Sequence, residues 1–187
     1  MLLLGLFSCG MALAEKPKMA TVDMQKLFKE YHRTATAQKH FNAEYASIQK
    51  TANEKAEAIG KMRRMIQAIT EQLKKEDLTD EEKANKRSEG QMIAQEIKIA
   101  ERDIHNFTTM ERAKIAQKKA ASMQGIMTEI KQKVVTLSEK VGYDYVFDRS
   151  GLNTNQVSFF LYLKDATDIT ATMLKELNKF APGADSQ

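Results

Sequence analysis

From Leu27 to Leu73 the apolar residues recur in alternating steps of four and three. The series is Leu27, Tyr31, Thr34, Gln38, Phe41, Tyr45, Ile48, Ala52, Lys55, Ile59, Met62, Ile66, Ile69 and Leu73, in which only Thr34, Gln38 and Lys55 are polar. A seven-residue repeat held in one phase keeps a single seam facing a partner helix and predicts a coiled-coil arm. Lys74-Lys75-Glu76-Asp77-Leu78 breaks the pattern, and Thr79-Asp80-Glu81-Glu82 restarts it. Thr79 is an N-cap there, Glu82 completes a capping box, and the acidic first turn suits the helix dipole. The return arm carries Ile93, Ile97, Ala100, Ile104 and Phe107 in one phase, and Ala120, Met123, Met127, Ile130, Val134, Leu137 and Val141 in another. The slip between Phe107 and Ala120 predicts a change of packing partner or supercoil. Lys140 and Gly142 form an ordinary helix stop. No proline lies between Asp23 and Val141. The pattern therefore predicts an antiparallel helical hairpin over 26–141 with its tip near 75–79, and arms on the order of 75 to 90 Å long.

Both ends of the chain have a shorter period. Met19–Asp23, within a first segment 15–25, reads as a strand, as does Tyr143–Asp148, which alternates aromatic and acidic residues before the turn Arg149-Ser150-Gly151. Val157–Leu163 reads as a third strand with neither face polar, so both of its faces need cover. Asp168 is placed to cap a last amphipathic helix with Ile169, Met173, Leu177 and Phe180 on one side. That helix covers one sheet face, and a second copy of the chain is the economical cover for the other. Val22, Tyr145, Phe147, Phe159, Leu161 and Leu163 are the expected body and oligomer core. The fold class is α+β, mostly α: a small β-sheet body made of 15–25 and 142–187, with a long inserted helical hairpin.

Met1–Ala14 is uncharged and mostly apolar, and it ends in Ala12-Leu13-Ala14, the small-x-small pattern of a signal-peptidase site. At 14 residues it is too short to span a bilayer, which takes about 20. A competing reading takes Leu6-Phe7-Ser8-Cys9-Gly10 as an imperfect lipobox with Cys9 lipidated. Cys9 is the only cysteine, so cleavage after Ala14 leaves a chain without thiol or disulfide.

The segments Ala20-Thr21-Val22-Asp23-Met24-Gln25-Lys26-Leu27-Phe28, Gly142-Tyr143-Asp144-Tyr145-Val146-Phe147-Asp148-Arg149-Ser150-Gly151 and Asp168-Ile169-Thr170-Ala171-Thr172-Met173-Leu174-Lys175-Glu176-Leu177 resemble the Skp/OmpH family of periplasmic chaperones. In the long arms only the heptad pattern matches. The resemblance implies a homotrimer whose sheets form a central body, with three helical hairpins around a cavity. It implies a periplasmic, ATP-independent holdase that keeps unfolded outer-membrane proteins from aggregating there.

Composition agrees with long solvated helices, at 29% charged and 7% aromatic residues. The net charge of +4 is concentrated in the first arm, where Asp23–Lys75 carries 11 Lys/Arg against 6 Asp/Glu. Lys61, Arg63, Arg64, Lys74 and Lys75 offer a surface for acidic client segments or anionic lipid headgroups; the plainer reading is a solvated coiled-coil face. A holdase needs an adaptable surface of weak contacts, and methionine repacks readily. Met65, Met92 and Met110 lie beside the counted seams and are the candidate client contacts, with Ile99 as a fourth; the plainer reading is helix packing. Gly60, Gly90 and Gly125 sit inside the arms, either loosening them or merely tolerated.

His32, His40 and His105 form no metal pattern, Ser150-Gly151 lacks a nucleophile elbow, and no phosphate-binding glycine loop or base-reading module is present. No enzyme activity, cofactor, metal or nucleic-acid partner is expected. The alternative to a holdase is a structural coiled-coil envelope protein or a lipid-anchored stalk, which the lipobox reading of Cys9 favours.

Overall fold

The computed structural model describes residues 16–182; the cleavage-site residues Ala12 and Ala14, and Cys9, lie outside them. In chain order the elements are β1 (Met19–Val22), α1 (Met24–Glu30), α2 (His32–Leu73), α3 (Asp80–Val141), β2 (Tyr145–Asp148), β3 (Thr167–Asp168) and α4 (Thr170–Asn178). The described residues divide into two compact units, one holding 16–32 together with 127–182, the other Arg33–Ile126.

The first unit is built on a parallel sheet in the order β2-β1-β3. Parallel neighbours need a long crossover connection, and between β1 and β2 that connection is the entire helical insertion. The central strand is the buried one: Ala20, Thr21 and Val22 are all inside. The largest fully buried side chains among the described residues, Leu27, Ile130 and Met173, come one each from α1, α3 and α4. Side-chain caps tie the start of α1 to the rest of the unit. Asp23 accepts the Lys26 N–H (2.8 Å), Asp148 accepts the Met24 N–H (3.2 Å), Ser150 Oγ accepts the Gln25 N–H (3.1 Å), and the Asp23 N–H donates to Thr170 Oγ1 (3.0 Å). The end of α3 closes as the sequence indicates: Gly142 takes the left-handed conformation (φ +77) and Lys18 Nζ donates to the exposed Val141 carbonyl (3.0 Å).

Three expectations fail in this unit. Val157–Leu163 is not a sheet strand; it forms only an isolated antiparallel bridge between Ser158 and Leu152, and the third strand is instead Thr167–Asp168. The backbone of 157–163 turns back on the residues just before it, the Asn153 N–H donating to the Val157 carbonyl (2.9 Å) and the Phe159 N–H to the Gly151 carbonyl (3.2 Å). Asp168 does not stand at the N-cap position, which is Ile169, but it still takes the Thr170 N–H (2.9 Å) and hydroxyl (2.6 Å). Phe180 is exposed, because α4 ends at Asn178 before its apolar stripe reaches that position.

The helix expected from residue 26 starts at Met24 and is broken once. Tyr31 adopts an extended conformation (ψ 124) between α1 and α2. No glycine or proline is present there to cause it.

The Asp168 carboxyl is held below the ordinary carboxylate value, first by the Thr170 hydroxyl, then by the Thr170 N–H, and also by the positive charges of Arg149 and Lys26. A lowered folded value means that this group stabilises the fold above its unfolded pKa and ceases to do so as pH falls through the folded one. Asp168→Asn is therefore expected to flatten the acid limb of stability below about pH 4 and to lower stability slightly at neutral pH; denaturant midpoints measured against pH check this.

In the second unit α2 and α3 pack through two apolar clusters. One holds Ile59, Ile69, Ile93 and Ile97, the other Phe41, Ile48 and Ile115. Lys55, the charged residue in the α2 seam, lies over the Phe107 ring (6.0 Å). The capping box at the start of α3 forms as expected, with Thr79 Oγ1 accepting the Glu82 N–H and Glu82 Oε2 accepting the Thr79 N–H.

The two helices follow different repeats. All five buried residues of α2, namely Phe41, Ile48, Ala52, Ile59 and Ile69, belong to the heptad series. In α3 the buried or half-buried residues Ile93, Ile104, Ile115, Ile126 and Leu137 recur every eleven residues. An eleven-residue repeat gives 3.67 residues per turn and a right-handed drift of the seam. Read in sevens, that series looks like a phase slip, which is why Ile115 and Ile126 are missing from the series read in sequence. The three helical glycines leave the helices unbroken; a Cβ on Gly125 meets nothing within 4 Å, and one on Gly60 or Gly90 makes only ordinary contact.

Candidate functional site

Two exposed apolar surfaces stand out, one in each unit. In the helical unit, Met65 on α2 is 51% exposed, and Met92 and Met110 on α3 are each 60% exposed. Ile99 is exposed as well. Along α3, Met92, Ile99 and Met110 are separated by 7 and 11 residues, which at 100° per residue puts them within about 20° of one another on the helix surface. They share one stripe, off the buried seam. Ile99 sits in a shallow groove with Gln91, Ala94, Gln95, Lys98 and Arg102. The side chains of that groove offer amide and cationic donors next to an aliphatic floor, a mixture suited to loose contact with an extended chain.

The candidate cations are less free than their number suggests. Arg63 pairs with Glu101 on α3, Lys61 with Glu57, and Lys74 with Glu71. All five, Lys61, Arg63, Arg64, Lys74 and Lys75, are exposed. Exposed pairs of this kind contribute about 0–1 kcal/mol, but they neutralise part of the charge that would draw an anionic partner. Sequence counting found the excess and missed the pairing, which depends on α3 lying alongside α2.

In the body, the residues expected to form a core divide. Val22 is buried and Phe147 and Leu163 are half-buried, whereas Tyr145, Phe159 (65%) and Leu161 (86%) are exposed. Tyr162, Val157, Leu152 and Val135 are exposed too. Phe160 touches Phe147 (ring centroids 5.0 Å), and Phe147 stacks on Tyr145 (6.2 Å), so the exposed run 157–162 continues into the face of β2. On the opposite face of β2, Val22, Met24, Val134, Val135 and Val146 line a groove of about 490 Å³ rimmed by Lys131, Glu139, Asp144 and Asp148. Exposed apolar side chains thus stand on both faces of β2.

Among the described residues no group of His, Cys, Asp or Glu side chains could hold a metal ion, and no helix is long and apolar enough to cross a membrane.

A small parallel sheet interrupted after its first strand by a helical hairpin, with bare apolar surface on both parts, defines an α+β binding protein. The chain belongs to the OmpH-like family of outer membrane proteins, the Skp/OmpH chaperones, whose family model matches residues 18–177. That family binds outer-membrane proteins in the periplasm. No individual curated protein matches the chain.

Proposed function

We propose that this chain is an ATP-independent periplasmic holdase for unfolded outer-membrane proteins, working as a homotrimer with clients held between the helical hairpins. The observation that carries this reading is the line of exposed Met92, Ile99 and Met110 on α3, with Met65 on α2. Apolar side chains aligned on one stripe of a highly charged helix offer a line of contacts that an apolar partner gains by covering. Methionine suits covering by many sequences, since its thioether chain adapts to different surfaces. Family membership supplies the client class. The bare face of the body supports assembly of several copies, and the count of three comes from the resemblance.

Replacing Met65, Met92 and Met110 together by serine is expected to weaken capture of an unfolded β-barrel protein roughly tenfold or more, with helicity and assembly intact. About 0.8 kcal/mol per buried methylene group sets the scale, and only part of each side chain is covered. The check is light scattering of the diluted client against chaperone concentration, without nucleotide. Undiminished suppression of aggregation by the triple variant removes these residues from the binding surface.

Contact with anionic lipid is a weaker element of the same reading, supported by Arg64 and Lys75 on the exposed surface. Flotation with vesicles containing phosphatidylglycerol, repeated as salt rises, tests it.

A further inference from the structure

The break at Tyr31 is not made by glycine or proline. Residues 28–36 read Phe-Lys-Glu-Tyr-His-Arg-Thr-Ala-Thr, without glycine or proline, and the heptad seam passes through Leu27, Tyr31 and Thr34 as if one helix continued. A break strands the carbonyls that end one helix and the N–H groups that begin the next. Here one group of each kind is served by a single side chain more than 140 residues away in sequence. Asn178, the last residue of α4, accepts the His32 N–H at Oδ1 (2.8 Å) and donates through Nδ2 to the Glu30 carbonyl (3.0 Å). A carboxamide is suited to this, because it carries an acceptor and a donor side by side. The Tyr31 side chain is buried and its hydroxyl donates to Glu129 on α3 (2.8 Å). The helix that carries Asn178 is itself anchored by the buried Met173 and Leu177.

The geometry points to Asn178 as a positioning residue that holds α1 and α2 apart as two helices and suppresses a continuous helix through Tyr31. The C-terminal helix, and not the local sequence, then decides where α2 begins. This inference does not depend on the chaperone reading.

The test uses the isotope-labelled full chain and the ¹³Cα secondary shifts of residues 29–34. In the wild type Tyr31 has the sign of an extended residue. In Asn178→Ala, Tyr31 and His32 are expected to move to the helical sign, the helical population rising roughly tenfold or more for the loss of two hydrogen bonds. The second variant is Asn178→Ala combined with His32→Pro. Proline is favoured at the first helical position and needs no N–H partner. It also biases the preceding residue to ψ of about 120 to 160°, which matches Tyr31 at ψ 124. The double variant should therefore return Tyr31 to the extended sign. Where Asn178→Ala fails to fold, His32→Pro should restore folding, since it removes the N–H that Asn178 serves. An extended Tyr31 in the single variant, a shift to random coil without helix, or a double variant that neither refolds nor restores the extended sign overturns the proposal.

Discussion

Phe159→Asp together with Leu161→Asp is expected to leave a folded monomer. In the single chain Leu161 is 86% and Phe159 65% exposed, and the Phe159 ring lies over Gly151, so the substitutions cost the body little beyond that one contact. Burial of a Phe or Leu on association is worth about 1.5–3 kcal/mol each, and a buried unpaired carboxylate reverses the sign of that contribution. Closed assemblies repeat every substitution in every copy, so the loss is counted once per protomer. Sedimentation equilibrium should give the monomer mass, with the far-ultraviolet circular dichroism of the helices retained. Assembly that survives both aspartates would move the interface away from residues 157–162. The same variant should lose holdase activity to the extent that capture needs several hairpins around one client.

Met173→Ala should have the opposite character, a loss of folding with the surface unchanged. Met173 is completely buried, and truncation of a side chain in such a site costs about 2–5 kcal/mol, a large part of the 5–15 kcal/mol that holds an ordinary domain together. The expected result is a drop in the denaturant midpoint. Amide exchange should accelerate in β1 and α1 before it does in the cluster of Ile59, Ile69, Ile93 and Ile97, which belongs to the other unit. Uniform acceleration across both units would mean that they unfold as one.

The parts legible in the sequence are those fixed by neighbours along the chain. The α2 seam could be counted because Phe41, Ile48, Ala52, Ile59 and Ile69 obey one heptad phase. The capping box at Thr79 and Glu82 and the glycine stop at Gly142 are short-range hydrogen-bond geometry, visible in residue order. The α3 seam was within reach, since Ile93, Ile104, Ile115, Ile126 and Leu137 stand eleven apart, but an eleven-residue period has to be looked for. The break at Tyr31 was out of reach, because its hydrogen-bond partner Asn178 lies 146 residues from His32. The reading of Val157–Leu163 as a sheet strand failed for another reason. Its hydrophobicity was taken as evidence of pairing within the chain, while Phe159 and Leu161 remain in solvent there. Among the candidate site residues, the exposure of Met65, Met92 and Met110 follows from their positions off the seam. The pairing of Arg63 with Glu101 required knowing how the arms align.

The placement of the helical insertion between β1 and β2 also sets an order of events. Ala20 must pair with Val146, and Thr21 with both Phe147 and Asp168, so β1 has its sheet partners more than a hundred residues away in the chain. Contacts that distant in sequence form late unless the intervening segment shortens the search. Helices grow from local bonds alone, and their formation shortens the stretch of chain that separates Met19 from its partner Tyr145. Formation of the helices is therefore expected to precede sheet closure, and a substitution that slows it should delay the pairing of β1 without touching a single residue of the sheet.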